Sequence, residues 1–229
     1  MSIKLFCIPY AGGVSEAFSK LNPFLREDIE IIPVDYAGHG PRAKEPFYQS
    51  FDEMAKDTAK CLNEYLDGRK YAVFGYSMGS VVSFEMLVNK YLKYMPEHLF
   101  VASHEAPGEY WHTMEYAGLS DSEFFHKLVE FGGFKAEDEE RMKNRFFKKL
   151  IFDPIKADYD LIASYELHNE TPVDMNVTMM FSTNDVSREA VEKWQKRFTK
   201  PMEFIEIGKN HFFINDEYET VADIINKRV

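Results

Sequence analysis

Six short apolar runs that alternate with segments of helical spacing restrict the fold of this sequence more than any other feature. Several runs lack strict alternation of apolar and polar residues, which is typical of strands covered on both faces. In the segments between them, for example residues 51–66, apolar residues recur at the spacing of an amphipathic helix. The pattern predicts an α/β fold with a mostly parallel central sheet flanked by helices. The six predicted strands are residues 4–10, 30–36, 71–75, 98–106, 177–184 and 202–208.

Residues 107–170 interrupt this alternation with amphipathic patterns and no convincing strand. One predicted helix opens with the capping box that begins at Ser120, and two more follow at residues 142–150 and 155–162. No linker or repeat is visible, and 229 residues are within the size of one compact domain. We therefore predict a single domain over residues 1–229, with 107–170 as a helical lid insertion that can cover a site.

The composition excludes several classes of partner. A net charge of −11 argues against affinity for nucleic acid or anionic membranes, because phosphate binding needs a basic face. No apolar run approaches the ~20 residues of a membrane span, and the first residues lack the layout of a secretory signal, so a cytoplasmic protein is expected. Cys7 and Cys61 are expected to be buried free thiols, and no Cys/His cluster has zinc-ligand spacing.

Residues 75–79 read Gly-Tyr-Ser-Met-Gly and lie between a predicted strand and a predicted helix. This G-x-S-x-G form in this context is typical of a nucleophile elbow, a turn so tight that glycine is needed on both sides of the serine. The turn would project Ser77 above the strand ends. The alternative is an ordinary strand-to-helix turn.

A serine hydroxyl needs a histidine to take its proton, and that histidine needs a carboxylate to hold its tautomer. In the order typical of this elbow, both partners follow the serine, in loops after later strands. Asp185 follows the fifth predicted strand and His211 follows the sixth, so we predict them as the partners of Ser77. The rival Asp174 precedes its strand, which places it at the opposite end of a parallel sheet.

Stabilising the oxyanion requires two N–H donors. Met78, directly after the serine and at the start of a helix, is the first candidate, since the positive end of the helix dipole favours an anion there. The second is expected from the loop after the first strand, where residues 10–13 read Tyr-Ala-Gly-Gly, and Ala11 is the predicted donor. A flexible turn would explain these glycines equally well.

At this point the sequence resembles the type II thioesterases that accompany nonribosomal peptide and polyketide synthases. The likeness runs nearly from end to end, and its motifs are more specific than G-x-S-x-G. Tyr76 departs from the pattern, because histidine is usual directly before the serine, so substrate preference could differ. The segments that carry the likeness are FCIPYAGG, EIIPVDYAGHGPR, VFGYSMGSVVSFEM, LFVASHEAP, ADYDLIASYE and NHFFI.

The resemblance implies an α/β-hydrolase that removes acyl groups from the phosphopantetheine thiol of acyl or peptidyl carrier domains, mainly to edit stalled or misprimed synthases. Ser77, Asp185 and His211 fall on the triad positions of the family, and residues 107–170 fall on its lid. No cofactor is implied beyond the phosphopantetheine that the carrier partner brings, and a monomer is the default for such an editor.

Several aromatic residues are candidates for binding the acyl group, although packing in the core or the lid is the simpler explanation for each lid aromatic. They are Tyr10, Tyr76, Trp111, Phe124 and Phe125, with Phe146 and Phe147 as further lid aromatics. Carrier proteins tend to be acidic, so a local basic surface is needed for docking. Its candidate residues are Arg141, Lys143, Arg145, Lys148 and Lys149, which could equally be a solvated helix face.

Two other functions remain open. The same three residues could serve a serine esterase or an acyl-CoA thioesterase acting on small free substrates. A hydrolase-like binding protein without turnover is the third reading, against which the complete set of catalytic residue types argues.

Overall fold

The computed structural model describes residues 2–109 and 111–229. One sheet of six strands forms its centre, in the order β2-β1-β3-β4-β5-β6, and every neighbouring pair is parallel. The predicted α/β class and all six predicted strands are thereby confirmed. The strands are β1 Ile3–Ile8, β2 Ile29–Pro33, β3 Tyr71–Tyr76, β4 His98–Ala102, β5 Val177–Phe181 and β6 Glu203–Glu206.

Helices cover both faces of the sheet. The α-helices are α1 Phe51–Tyr65, α2 Met78–Val88, α3 Asp121–Glu130, α4 Arg145–Phe147, α5 Asp153–Ala163, α6 Arg188–Glu192 and α7 Tyr218–Asn226. The 3-10 segments are Ser15–Phe24, Gly40–Arg42, His112–Tyr116, Ala136–Lys143, Lys193–Arg197 and Phe213–Asn215, and Lys148–Phe152 forms a π-helical turn. Because every neighbouring pair of strands is parallel, all six strands end at the same edge of the sheet.

The inner strands β1, β3, β4 and β5 lack alternation because both faces of the sheet are buried there. Along β3, Val73 faces a core shared with α1 and α2, while Phe74 faces a second core shared with α7. Both side chains have no exposed surface. Parallel sheets buried on two sides read as continuous apolar runs for this reason.

The chain between β4 and β5, called the inserted segment, holds α3, α4 and α5 and builds a small apolar cluster of its own, called the inserted cluster. The capping box at Ser120 is confirmed, because its side chain accepts from the Glu123 N–H and the Glu123 carboxylate accepts from the Ser120 N–H. Ala11 of the loop after β1 packs against this cluster, so the inserted residues contact the strand ends of the sheet.

The middle helix predicted at 142–150 is instead divided. Asn144 caps a new helix, since its side-chain oxygen accepts from the N–H groups of Phe146 and Phe147. The chain then passes through the π-helical turn into α5, where Pro154 has no N–H to donate to the preceding turn. One capping side chain and one proline therefore decide where these helices begin.

In the described part of the chain no helix is long and apolar enough to cross a membrane. Residues 2–109 and 111–229 also contain no group of three or more His, Cys, Asp and Glu side chains that could hold a metal ion. Cys7 is a buried free thiol whose pKa is raised by burial, and Cys61 is a half-buried free thiol.

Candidate active site

Ser77 lies at the turn between β3 and α2 with a φ angle of +51°, a left-handed conformation that side chains rarely adopt. The glycines on either side make this turn possible. A Cβ atom on Gly75 would lie 2.4 Å from the carbonyl oxygen of Gly79, and one on Gly79 would lie 2.2 Å from that of Ile8. Local strain held in place by close backbone packing is a common property of functional turns.

His211 connects Ser77 to Asp185. Its Nε2 lies 3.0 Å from the Ser77 Oγ, and its Nδ1 lies 3.0 Å and 2.9 Å from the two carboxylate oxygens of Asp185. The histidine and aspartate side chains are only 11% and 5% exposed. The structure therefore brings together three residues from the loops after β3, β5 and β6. An imidazole that donates to the carboxylate through Nδ1 presents a free Nε2 to the serine, as proton transfer requires.

Backbone amides near Ser77 are available to an anion. Met78 is the first residue of α2, and the first N–H groups of a helix have no partner within it. In the loop after β1, Gly12 donates its N–H to Asp158 and Gly13 donates its N–H to the Tyr10 carbonyl. Within the described residues no acceptor takes the N–H of Ala11.

A cavity of about 200 Å³ lies beside these residues, between the loop after β1 and the inserted segment. The Phe131 ring in its wall has its centroid 4.6 Å from that of the His211 ring, so the cavity adjoins the imidazole. Sequence reasoning found Tyr10 and Ala11 but missed the other lining residues. Those include Leu128, Phe131, Phe134, Ile155, Tyr159 and Phe212.

Of the predicted acyl-binding aromatics, Tyr10 lines this cavity, whereas Tyr76, Trp111, Phe124, Phe125, Phe146 and Phe147 do not. Trp111 is fully buried in the main core, where it stacks on Tyr165 at 4.9 Å and donates its indole N–H to the Ala106 carbonyl. Phe124 and Phe125 face the interior of the inserted cluster, and their exposed fractions are 0% and 1%. Phe124 and Phe125 support the cavity wall from behind, since their ring centroids lie 5.2 Å from that of Tyr159 and 5.6 Å from that of Phe134.

Tyr76, predicted as a substrate contact, is also fully buried and lies beneath the histidine loop. Its hydroxyl donates to the His211 carbonyl oxygen at 2.6 Å and accepts from the Ile214 N–H at 3.3 Å. Ser103 donates to the same carbonyl at 3.1 Å. The tyrosine therefore holds the backbone that carries His211.

Replacing Tyr76 by phenylalanine is expected to lower kcat by about threefold to tenfold and the free energy of unfolding by about 1 kcal/mol. The Ile214 N–H loses its acceptor, and the His211 carbonyl keeps only Ser103. Ester hydrolysis and urea unfolding measure the two effects, with Tyr94→Phe at an exposed position as the control. An unchanged kcat would show that this hydrogen bond does not position the histidine.

Most of the predicted basic docking residues are already paired with carboxylates. Arg141 binds Asp138, Lys143 binds Glu140, and Lys148 binds Asp121. Paired cations on an exposed helix attract an acidic partner less than free ones. Arg145 and Lys149 line an open groove with Lys44 and Phe47, and they are the members of the set that remain candidates for docking.

A parallel sheet with helices on both faces, and a serine, histidine and aspartate in contact above its carboxyl ends, defines an α/β-hydrolase. The model of the thioesterase domain matches residues 3–229. The chain therefore belongs to the thioesterase family and is a serine hydrolase that acts on thioesters.

Two curated relatives cover most of the chain. "Linear gramicidin dehydrogenase LgrE" of Brevibacillus parabrevis is 29% identical over 97% of this chain and 86% of its own length. "Gramicidin S biosynthesis protein GrsT" of Aneurinibacillus migulanus is 26% identical over the same shares, 97% and 86%.

Solved structures share the fold over nearly the whole chain. ClbQ from the colibactin NRPS/PKS pathway has a TM-score of 0.89 and 24% identity, covering 100% of this chain and 97% of its own. YbtT, a type II thioesterase from the yersiniabactin NRPS/PKS pathway, has a TM-score of 0.83 and 20% identity, covering 99% and 92%. At this level of identity the likeness shows the α/β-hydrolase fold.

Proposed function

We propose that this protein is a type II thioesterase that hydrolyses acyl groups from the phosphopantetheine thiol of carrier-protein domains, and so edits stalled or misprimed synthases. The contact of His211 with both Ser77 and Asp185, beside an apolar cavity, carries the proposal. The thioesterase family and the biosynthetic pathways named for GrsT, ClbQ and YbtT support the choice of substrate.

In the proposed reaction, the His211 Nε2 takes the proton of the Ser77 hydroxyl while the oxygen attacks the thioester carbonyl. Asp185 stabilises the imidazolium that forms. The N–H groups of Met78 and Ala11 bind the oxyanion, and collapse of the intermediate expels the thiolate, which takes the proton from His211. Water then repeats these steps on the acyl-enzyme, releasing the acid and restoring Ser77.

The reaction needs no cofactor from the protein, because the pantetheine arm arrives on the carrier domain. An editor of carrier domains works where the synthase works, so the proposal includes a cytoplasmic location and a monomer able to reach many domains. Residues 107–170 would act as the lid, since Leu128, Phe131 and Tyr159 wall the cavity against the strand ends.

The name of the LgrE relative refers to a dehydrogenase, a different reaction class. Hydride transfer is carried by a bound cofactor, whereas a histidine that joins a serine to a carboxylate is the arrangement of nucleophilic acyl transfer. The contact of Ser77 with His211 therefore favours hydrolysis for this chain.

The cavity volume suggests which acyl groups are accepted. Ligand pockets usually measure about 300–1,000 Å³, and a cavity of about 150 Å³ holds benzene. The observed volume of about 200 Å³ therefore fits a short acyl chain. Its aromatic and aliphatic walls favour an apolar chain over a charged one.

We expect kcat/KM for an acetyl or butyryl group on a carrier domain to exceed that for a decanoyl group by about tenfold or more, since the part of a decanoyl chain that the cavity does not hold must displace packed side chains or lie against water. Thiol release from acyl-carrier proteins of graded length measures this. The matching p-nitrophenyl esters and acyl-CoA thioesters serve as controls. Far better turnover of the free esters would favour the esterase alternative, and better turnover of decanoyl groups would show that the cavity does not hold the acyl chain.

A further inference from the structure

Asp158 is a buried carboxylate on α5 of the inserted segment, and its side chain is only 2% exposed. One oxygen, Oδ2, accepts the Gly12 N–H at 2.7 Å and lies 3.0 Å from the His39 Nε2. That single atom joins α5 to the loop after β1 and to the loop after β2. None of the catalytic steps described above uses it.

His39 forms an ion pair with this carboxylate. Its Nδ1 lies 3.0 Å from the Ala37 carbonyl oxygen, which can only accept, and its Nε2 faces the carboxylate. Two acceptors require a proton on each nitrogen, so the ring is an imidazolium. Burial lowers the pKa of His39, but the hydrogen bond and charge of Asp158, helped by the Ala37 carbonyl and the charge of Asp35, outweigh it and leave this pKa raised. The rings of Tyr36 and Phe47 close the other sides.

A buried ion pair is weak evidence for a role in stability alone, because desolvation cancels much of its attraction. The groups that Asp158 contacts say more about its role than the ion pair does. Gly12 has a φ angle of +71°, and a Cβ atom there would lie 2.1 Å from the Ile155 Cγ1 on the same helix. The loop is thus pressed against α5, and its central amide is fixed by a carboxylate from that helix.

The other two N–H groups of this turn, those of Gly13 and Ala11, differ in whether they have an acceptor among the described residues. Gly13 donates its N–H to the Tyr10 carbonyl at 2.8 Å, which closes a tight turn around Ala11 and Gly12. With Gly12 and Gly13 committed, Ala11 is the residue of the turn whose N–H remains for a ligand, as far as the described residues show. The direction of that N–H depends on the turn being held in place.

We propose that Asp158 is a positioning residue: by holding the Gly12 N–H and the His39 imidazolium, it fixes the loop that presents the Ala11 N–H to the oxyanion, and so makes the donor depend on a seated lid. The inference rests on the proposed function, because it assigns a role within the same hydrolytic site. It gives residues 107–170 a part in the chemical step, besides covering the cavity.

Asp158→Ala is expected to lower kcat by about 10–100-fold, since removing an oxyanion donor outright costs about 100–1,000-fold and a misplaced donor retains part of its effect. The loss should be equal for p-nitrophenyl acetate and for an acyl-carrier protein. Asp158→Asn keeps an oxygen that can accept from Gly12 but loses the charge that holds the His39 imidazolium, so its kcat should lie between those of the wild type and Asp158→Ala. Asp160→Ala, at an exposed position of the same helix, is the matched control.

The small ester separates positioning from simple covering of the site. A lid that only binds the substrate would, when loosened, raise KM for the carrier protein and leave kcat for p-nitrophenyl acetate unchanged. That result would overturn the proposal, as would an Asp158→Asn variant as slow as Asp158→Ala. Hydrogen exchange gives a readout independent of activity: amides of residues 10–14 should exchange faster in Asp158→Ala, and unchanged exchange would also contradict the inference.

The pH dependence supplies a further readout. Since the folded state raises the pKa of His39 above its ordinary value near 6.5, the ion pair stabilises the protein fully below that value and its contribution is lost as pH rises through the raised pKa. The unfolding midpoint of the wild type should therefore exceed that of Asp158→Asn at pH 6 by more than at alkaline pH. A constant difference would contradict the ion pair. A wild type with no Ser77-dependent hydrolysis would instead refute the proposed function itself.

Discussion

Ser77→Ala is expected to reduce kcat for thioester hydrolysis by about a million-fold, leaving only the slow reaction that binding and the oxyanion donors support. The substitution removes the hydroxyl that lies 3.0 Å from the His211 Nε2 and leaves the imidazole without a side-chain nucleophile to activate. Thiol release from an acyl-carrier protein measures the loss, and a fluorophosphonate probe should label the wild type but not the variant.

The backbone should tolerate this change. Alanine keeps the Cβ atom that already occupies the left-handed turn at φ +51°, so the free energy of unfolding should change by less than about 1 kcal/mol. Ser122→Ala, at an exposed position on α3, is the matched control and should be fully active. A Ser77→Ala variant with near-normal turnover would mean that another group attacks the thioester, and the proposed mechanism would fail.

The inner strands β1, β3, β4 and β5 were predictable from the sequence because the sheet is buried on both faces there, which makes them apolar along most of their length. The edge strands β2 and β6 carry exposed glutamates and were recognised by their position between helical segments. The division of the helix predicted at 142–150 was not predictable, because its apolar spacing continues across Asn144 and the π-helical turn. Spacing reports which face of a segment is buried. It does not report whether one capping side chain starts a new helix within that segment.

For the site, chain order and position after a strand were sufficient to select Asp185 and His211, because parallel strands bring their carboxyl ends to one edge. The lining of the cavity was harder to foresee. Phe124 and Phe131 are equally aromatic and seven residues apart in sequence, yet only Phe131 reaches the cavity. The contact of Asp158 with Gly12 spans 146 positions in the sequence, and no local pattern encodes it.

Asp185→Asn is expected to lower kcat by about 10,000-fold while leaving the fold intact. The carboxylate accepts the Nδ1 proton of His211 at 2.9 Å, which leaves Nε2 free for the proton of Ser77. An asparagine that turns its amide N–H toward Nδ1 stabilises the opposite tautomer, in which Nε2 already carries a proton and cannot act as the base. The rate of acyl-enzyme formation, followed as the burst of p-nitrophenol, should fall by the same factor as kcat.

Asp174→Asn provides the comparison that separates this role from a general effect of charge. Asp174 was the rival carboxylate in the sequence, and in the structure it is exposed and accepts a hydrogen bond from the Thr199 hydroxyl at 2.7 Å. Both substitutions remove one negative charge from a chain of net charge −11, so a long-range electrostatic effect would change both variants alike. We expect Asp174→Asn to keep wild-type kcat. Equal losses in the two variants would show that Asp185 does not act through the His211 tautomer.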